Sequence, residues 1–91
     1  MLHIVKSQAA LNELNAVYAQ GDQVVLIEEA AYLSNAQHPL FSILKTKEVF
    51  VLLADVQARG IQNRVSPSIQ PIDYLQLVDL TASHSQSLTW N

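Results

Sequence analysis

The sequence predicts an α/β fold with a mostly parallel sheet of about four to five strands, and three observations carry that prediction. Short apolar, β-branched runs alternate with helix-like patterns along the chain. Two of the runs, "VVLI" and "VFVLLA", are apolar without alternation, as in strands covered by helices on both faces. Residues that start or stop helices, among them Ser7, Gly21, Gly60 and Asp73, fall between the runs.

"LHIV", Leu2 to Val5, reads as the first strand. Ser7 then takes an N-cap position, and Ala10, Leu11, Leu14, Val17 and Tyr18 recur on one helical face that Gly21 ends. "QVVLIE", Gln23 to Glu28, is a second strand expected near the centre of the sheet. "EAAYLSNAQHPLFSILKTK" begins as a helical turn, breaks at Ser34, Asn35 and Pro39, and resumes with Leu40, Phe41, Ile43 and Leu44, which makes one interrupted helical connection. "EVFVLLA" supplies a third strand and "DVQARG" a short helix, with Asp55 near its start and Gly60 after its end. "SIQPID" is a fourth strand, short or at an edge because Pro71 has no N–H to donate. Asp73 with Gln76 three residues on forms a capping-box pattern, and Tyr74, Leu77, Val78 and Thr81 continue as a final helix before a small fifth strand, "SLTW".

A chain of 91 residues suits a single domain spanning 1–91 with a modest core, and 49% apolar residues suffice for that core and a subunit contact as well. Five Lys and Arg against eight Asp and Glu give a net charge of −3 with no basic run, which argues against direct binding of nucleic acid. The apolar runs are too short for a signal peptide or a membrane span, so a cytoplasmic protein that does not engage membranes is expected. Cysteine is absent, which removes disulfides, thiolate metal ligands and thiol nucleophiles together.

The remaining polar residues make a poor catalytic set. Asp79, His84 and the serines around them, Ser83, Ser85 and Ser87, contain the residue types of a hydrolytic triad. On a helix, however, five residues turn a side chain by roughly 140°, so Asp79 and His84 diverge, and no nucleophile elbow accompanies them. A solvated helix end explains them better. His3, His38 and His84 fit no zinc spacing. Glu28 and Glu29 lie at a carboxyl edge, where open α/β sheets bind ligands, yet neighbours on a strand face opposite ways and read better as a solvated loop. Gly21 and Gly60 belong to no phosphate-binding loop, and Arg59 and Arg64 suit a solvated or interface role. No catalytic residue, cofactor or metal site is expected.

"MLHIV", "VVLIEE", "LADVQARGI" with Arg59 and Gly60, "SPSIQPIDY" and "LTASHSQSLTW" with Leu80, Thr81, His84 and Trp90 follow one another in an order, at separations and in a chain length that resemble the TusB/DsrH family of small sulfur-relay proteins, the TusB branch most of all. The resemblance spans nearly the whole chain. It implies a Rossmann-like (DsrE-type) three-layer subunit that assembles with homologous TusC-like and TusD-like subunits into a dimer of heterotrimers. In that pathway sulfur passes from a cysteine desulfurase through TusA to a cysteine on TusD, then to a TusE-like acceptor, and is used for 2-thiolation of a tRNA wobble uridine. Where DsrH-type relatives place a cysteine in the first helical region, "ALNELNAVY" has none.

The expected role is therefore a non-catalytic subunit that positions a neighbour's thiolate, with the TusE-like acceptor met only indirectly. Phe41, Leu44, Tyr74 and Trp90 are the interface candidates, with the chain's own core as the competing use for each. Trp90 is expected to anchor the terminal strand, since a chain end frays unless something packs on it. Two other readings stay open: a stand-alone ligand-binding module or hydrolase near Glu28, Glu29 and Asp55, and a homo-oligomer without sulfur transfer of its own.

Overall fold

The computed structural model describes Met1–Asn91 and joins every predicted strand into one sheet. Strands β1 (Leu2–Val5), β2 (Gln23–Leu26), β3 (Glu48–Leu52), β4 (Gln70–Ile72) and β5 (Ser87–Trp90) lie in the order β4-β3-β2-β1-β5, and all four pairings are parallel. The apolar β2 is the central strand. Pro71 sits in β4 at one edge, where a missing N–H leaves no ladder bond unmade on the outer side. The helices are α1 (Leu11–Val17), α2 (Phe41–Leu44), α3 (Leu53–Ala58) and α4 (Tyr74–Ser83), with 3-10 turns at Gln8–Ala10, Glu28–Ser34 and Gln62–Arg64.

Alternation along the strands divides the apolar side chains between two faces of very different depth. Against α1, α2, α3 and the 3-10 turns, Val5, Val24, Leu26, Val49 and Val51 join a cluster of 15 buried residues with Leu11, Leu14, Leu33 and Val56. The opposite face has only α4, and its buried cluster is three residues, Leu2, Val25 and Ile72, flanked by the half-exposed Ile4, Ile27, Phe50, Leu77 and Leu80.

Several elements differ in detail from the sequence expectation. Ser7 precedes a 3-10 turn with φ −134° and ψ 153°, but its hydroxyl makes no capping bond and is buried without a partner. The first helix ends at Val17, which is 56% exposed, because Tyr18 turns extended; its hydroxyl donates to the Asp22 carbonyl at 2.6 Å. Gly21, with φ 94°, therefore lies in a separate turn rather than at the helix end. Glu28 and Glu29 open a 3-10 helix rather than a loop. The third strand stops at Leu52, and α3 starts at once, two residues before Asp55.

Two expected helix signals appear in full. Gly60, at φ 66°, donates its N–H to the Gln57 carbonyl at 3.1 Å while Ile61 donates to Val56 at 3.0 Å, the paired bonds of a Schellman motif that closes α3. At α4 the Asp73 carboxylate accepts from the Gln76 N–H and the Gln76 side chain accepts from the Asp73 N–H, both at 2.8 Å.

Candidate partner interface

Trp90 ends β5, whose register places it beside Val5 of β1, with the backbone carbonyl of Trp90 accepting from Lys6 N–H at 2.8 Å. The half-buried indole packs against the large core and donates its N–H to His3 Nδ1 at 3.1 Å. Indole nitrogen only donates, so His3 Nδ1 accepts and the ring proton sits on Nε2, which donates to Asp22 Oδ2 at 2.9 Å. Asp22 also accepts from the N-terminal ammonium at 2.9 Å and from Ala19 N–H at 3.0 Å. The His3 hydrogen bond is the main cause that holds the Asp22 carboxyl well below the usual carboxylate range; burial opposes it, and the ammonium and the Ala19 N–H add to it. His3 itself is fully buried, and Tyr18 closes the other side with ring centroids 5.8 Å apart. The terminal tryptophan is thus tied to the first strand through a polar chain that fixes the histidine tautomer.

The four interface candidates part ways. Phe41 and Leu44, 6% and 3% exposed, are spent inside the large core and offer a neighbour almost no surface. Tyr74 is 62% exposed at the start of α4, next to Leu75 at 76% and near Val78 at 60%. Trp90 is half-buried, two residues after the exposed Leu88.

The other polar residues are not gathered into one centre. His38 Nε2 pairs with Gln8 Oε1 at 2.7 Å, and its Nδ1 accepts from Leu40 N–H. His84, after α4, pairs with Gln23 Oε1 at 2.7 Å, while Ser83 Oγ donates back to the Leu80 carbonyl. Neither Asp79 nor a serine meets that imidazole. At the carboxyl edge, Glu28 holds φ 52°, a left-handed conformation unusual for a side-chain-bearing residue. Its N–H donates to Asp55 Oδ2 at 2.7 Å, its carboxylate lies 3.5 Å from the Lys6 ammonium, and the other Asp55 oxygen faces Arg59 at 3.5 Å. Both Asp55 oxygens are engaged, which ties the start of α3 to the chain just after β2, whereas the Glu28 carboxylate reaches only Lys6, and Glu29 stands apart, exposed on the 3-10 helix. Arg59 lies 5.9 Å over the Tyr32 ring, and Arg64 is exposed.

Two features escaped sequence reasoning. Asp22 is a hub for four groups, and the only local signal is its place after a glycine in a tight turn. The strain at Glu28 has no sequence signal, because a left-handed position advertises itself only when glycine fills it.

A family model described as "DsrH like protein" matches residues 6–87. Among curated proteins, Protein TusB of Pectobacterium parmentieri is 34% identical over 95 aligned positions covering 99% of this chain and 100% of that one. Protein TusB of Escherichia coli O1:K1 is 30% identical with the same coverage, and that of Photorhabdus laumondii is 29% identical over 91% of this chain and 90% of that one. Among solved structures, the crystal structure of the ychN protein from E. coli gives a TM-score of 0.70 at 16% identity, covering 97% of each chain. The solution structure of Tm0979 from Thermotoga maritima gives 0.65 at 16% identity, covering 94% of this chain and 97% of that one. At such identity the two structures speak for the fold alone.

Proposed function

The chain belongs to the DsrH-like (TusB/DsrH) family, and on that premise we propose that it is a non-catalytic subunit of a sulfur-relay complex that carries persulfide sulfur toward 2-thiolation of a tRNA wobble uridine. The observation that carries this reading is chemical: the chain aligns end to end with proteins named TusB yet holds no cysteine. Sulfane sulfur travels between proteins on thiolates, by attack of one thiolate on another's persulfide. A chain without a thiol serves such a relay by shaping the subunit that has one. Its neighbours are TusC-like and TusD-like subunits of the same α/β build in a dimer of heterotrimers, and the TusE-like acceptor docks on the assembled complex. Its place of work is the cytoplasm, in keeping with a chain in which no helix is long and apolar enough to cross a membrane.

The uneven covering of the sheet supports a subunit role. One face is sealed by a core of 15 residues, while the other keeps Ile4, Ile27 and Phe50 half-exposed under a single helix. Isolation of the tagged chain from its own cells, with identification of what accompanies it, tests the reading. Two homologous small α/β subunits, one with a reactive cysteine, are expected in stoichiometric amount; recovery of the chain alone or only with copies of itself contradicts the proposal.

A further inference from the structure

Helix α4 is apolar on both sides. Leu77 and Leu80 pack toward the small core. Turned roughly 200° from Leu77 at 100° per residue, Leu75 points outward, and Val78 and Ala82 share its side at the i, i+3, i+7 spacing of a helix-packing seam. All three are exposed, and no residue of this ten-residue helix is buried. Gln76, Asp79 and Ser83 give the helix one polar side, but a helix that carries a second apolar stripe away from its own core leaves that stripe for another molecule to cover.

Charge says which molecule. All five cationic side chains lie between Lys6 and Arg64; from Val65 to Asn91 the only charged side chains are Asp73 and Asp79, with no lysine or arginine. Asp73 is engaged in the capping box. Asp79, exposed beside the seam, has no ion-pair partner, since the four ion pairs of the protein involve Asp22, Glu28 and Asp55. A contact between two copies joins a patch to itself, and because α4 is centred between Val78 and Asp79, a two-fold crossing there sets Asp79 against its own mate with no cation to offset them. Next to the helix, a groove of about 310 Å³ floored by Phe50 and Ile72 and walled by Gln76, Asp79 and Leu80 repeats the pattern of apolar floor and one carboxylate.

We infer that the outer side of α4 docks a different α/β subunit, which lays an apolar helix along Leu75, Val78 and Ala82 and brings a lysine or arginine to Asp79. This rests on the subunit reading above and names the surface and the partner's chemistry for it.

The test co-expresses the tagged chain with the homologous α/β subunits of its own cell and measures their association for wild type, the Leu75→Asp/Val78→Asp double variant and Asp79→Lys. Because the altered residues are exposed, all three proteins should melt alike; should the double variant not fold, Leu75→Ser takes its place. The double variant should lose ~10-fold or more in affinity, as for residues at the centre of an interface, and Asp79→Lys should lose less and remove much of the salt dependence. Wild-type binding with all variants unimpaired overturns the α4 assignment and leaves the subunit reading standing. Self-association of the wild type that the double variant abolishes overturns the choice of partner. No association of the wild type with any homologous subunit overturns both.

Discussion

Asp22 ties three stretches of chain together, accepting from the N-terminal ammonium, from His3 in β1 and from Ala19 in the turn before β2. Asp22→Asn keeps the shape and removes the charge, so it should cost on the order of 2 kcal/mol at neutral pH, the range for hydrogen bonds to an ionised group. The pH dependence follows from the direction of the shift. A carboxyl held below its ordinary value, here chiefly by the His3 bond, contributes stability that is complete above the unfolded value near pH 4 and is lost as pH falls below it. Thermal melts of the wild type should drop steeply between about pH 4 and pH 2, and those of Asp22→Asn should be flatter; parallel curves would show that Asp22 is not the acid-sensitive group. At the far end of the same chain of bonds, Trp90→Phe keeps most of the packing but leaves His3 Nδ1 without its donor, for about 1 kcal/mol, while Trp90→Ala adds the loss of a half-buried ring and should cost roughly 2–3 kcal/mol in urea unfolding. Nitrogen NMR of the imidazole should find the His3 proton on Nε2 at neutral pH; a proton on Nδ1 would contradict the Trp90 anchor.

The element ends depend on backbone conformation at two residues, one a glycine and one not. Gly60 closes α3 at φ 66° with open space around its missing Cβ, so Gly60→Ala pays only for the left-handed backbone, about 1 kcal/mol. Glu28 sits at φ 52° with a carboxylate that reaches only an exposed, long ion pair to Lys6, and Glu28→Gly should stabilise the protein by up to about 1 kcal/mol; equal or lower stability in chemical denaturation would mean that its side chain matters more than its backbone. The same contrast explains what the sequence disclosed. The strands, the Asp73 capping box and the Gly60 terminus announce themselves through residue types that have one physical use. Tyr18 does not, because outside the helix its hydroxyl donates to the nearby Asp22 carbonyl and accepts from the distant Glu48 N–H at 3.2 Å, and no local pattern of residue types signals that second bond. Strand order is likewise invisible, since β1 accepts β2 on one side and β5 on the other through connections that any right-handed crossover permits.

For the whole molecule, the decisive asymmetry is between its two sheet faces. A core of 15 residues makes the chain a folded unit, and a core of three under α4 leaves a surface that another subunit can complete. Of the four interface candidates, Tyr74 and Trp90 keep exposed area while Phe41 and Leu44 go inward, a choice that periodicity cannot make because core and interface side chains are alike in type. The missing thiol, by contrast, is plain in the sequence, and it is the ground on which the proposed function assigns the sulfur to a neighbour's cysteine. The most direct test reconstitutes the complex with a persulfide donor, with and without this chain, and weighs each subunit. Sulfur should accumulate on a neighbour's cysteine, the mass of this chain should not change, and transfer should fail when the chain is left out; sulfur transfer by the isolated chain, or full transfer in its absence, would overturn the non-catalytic subunit role.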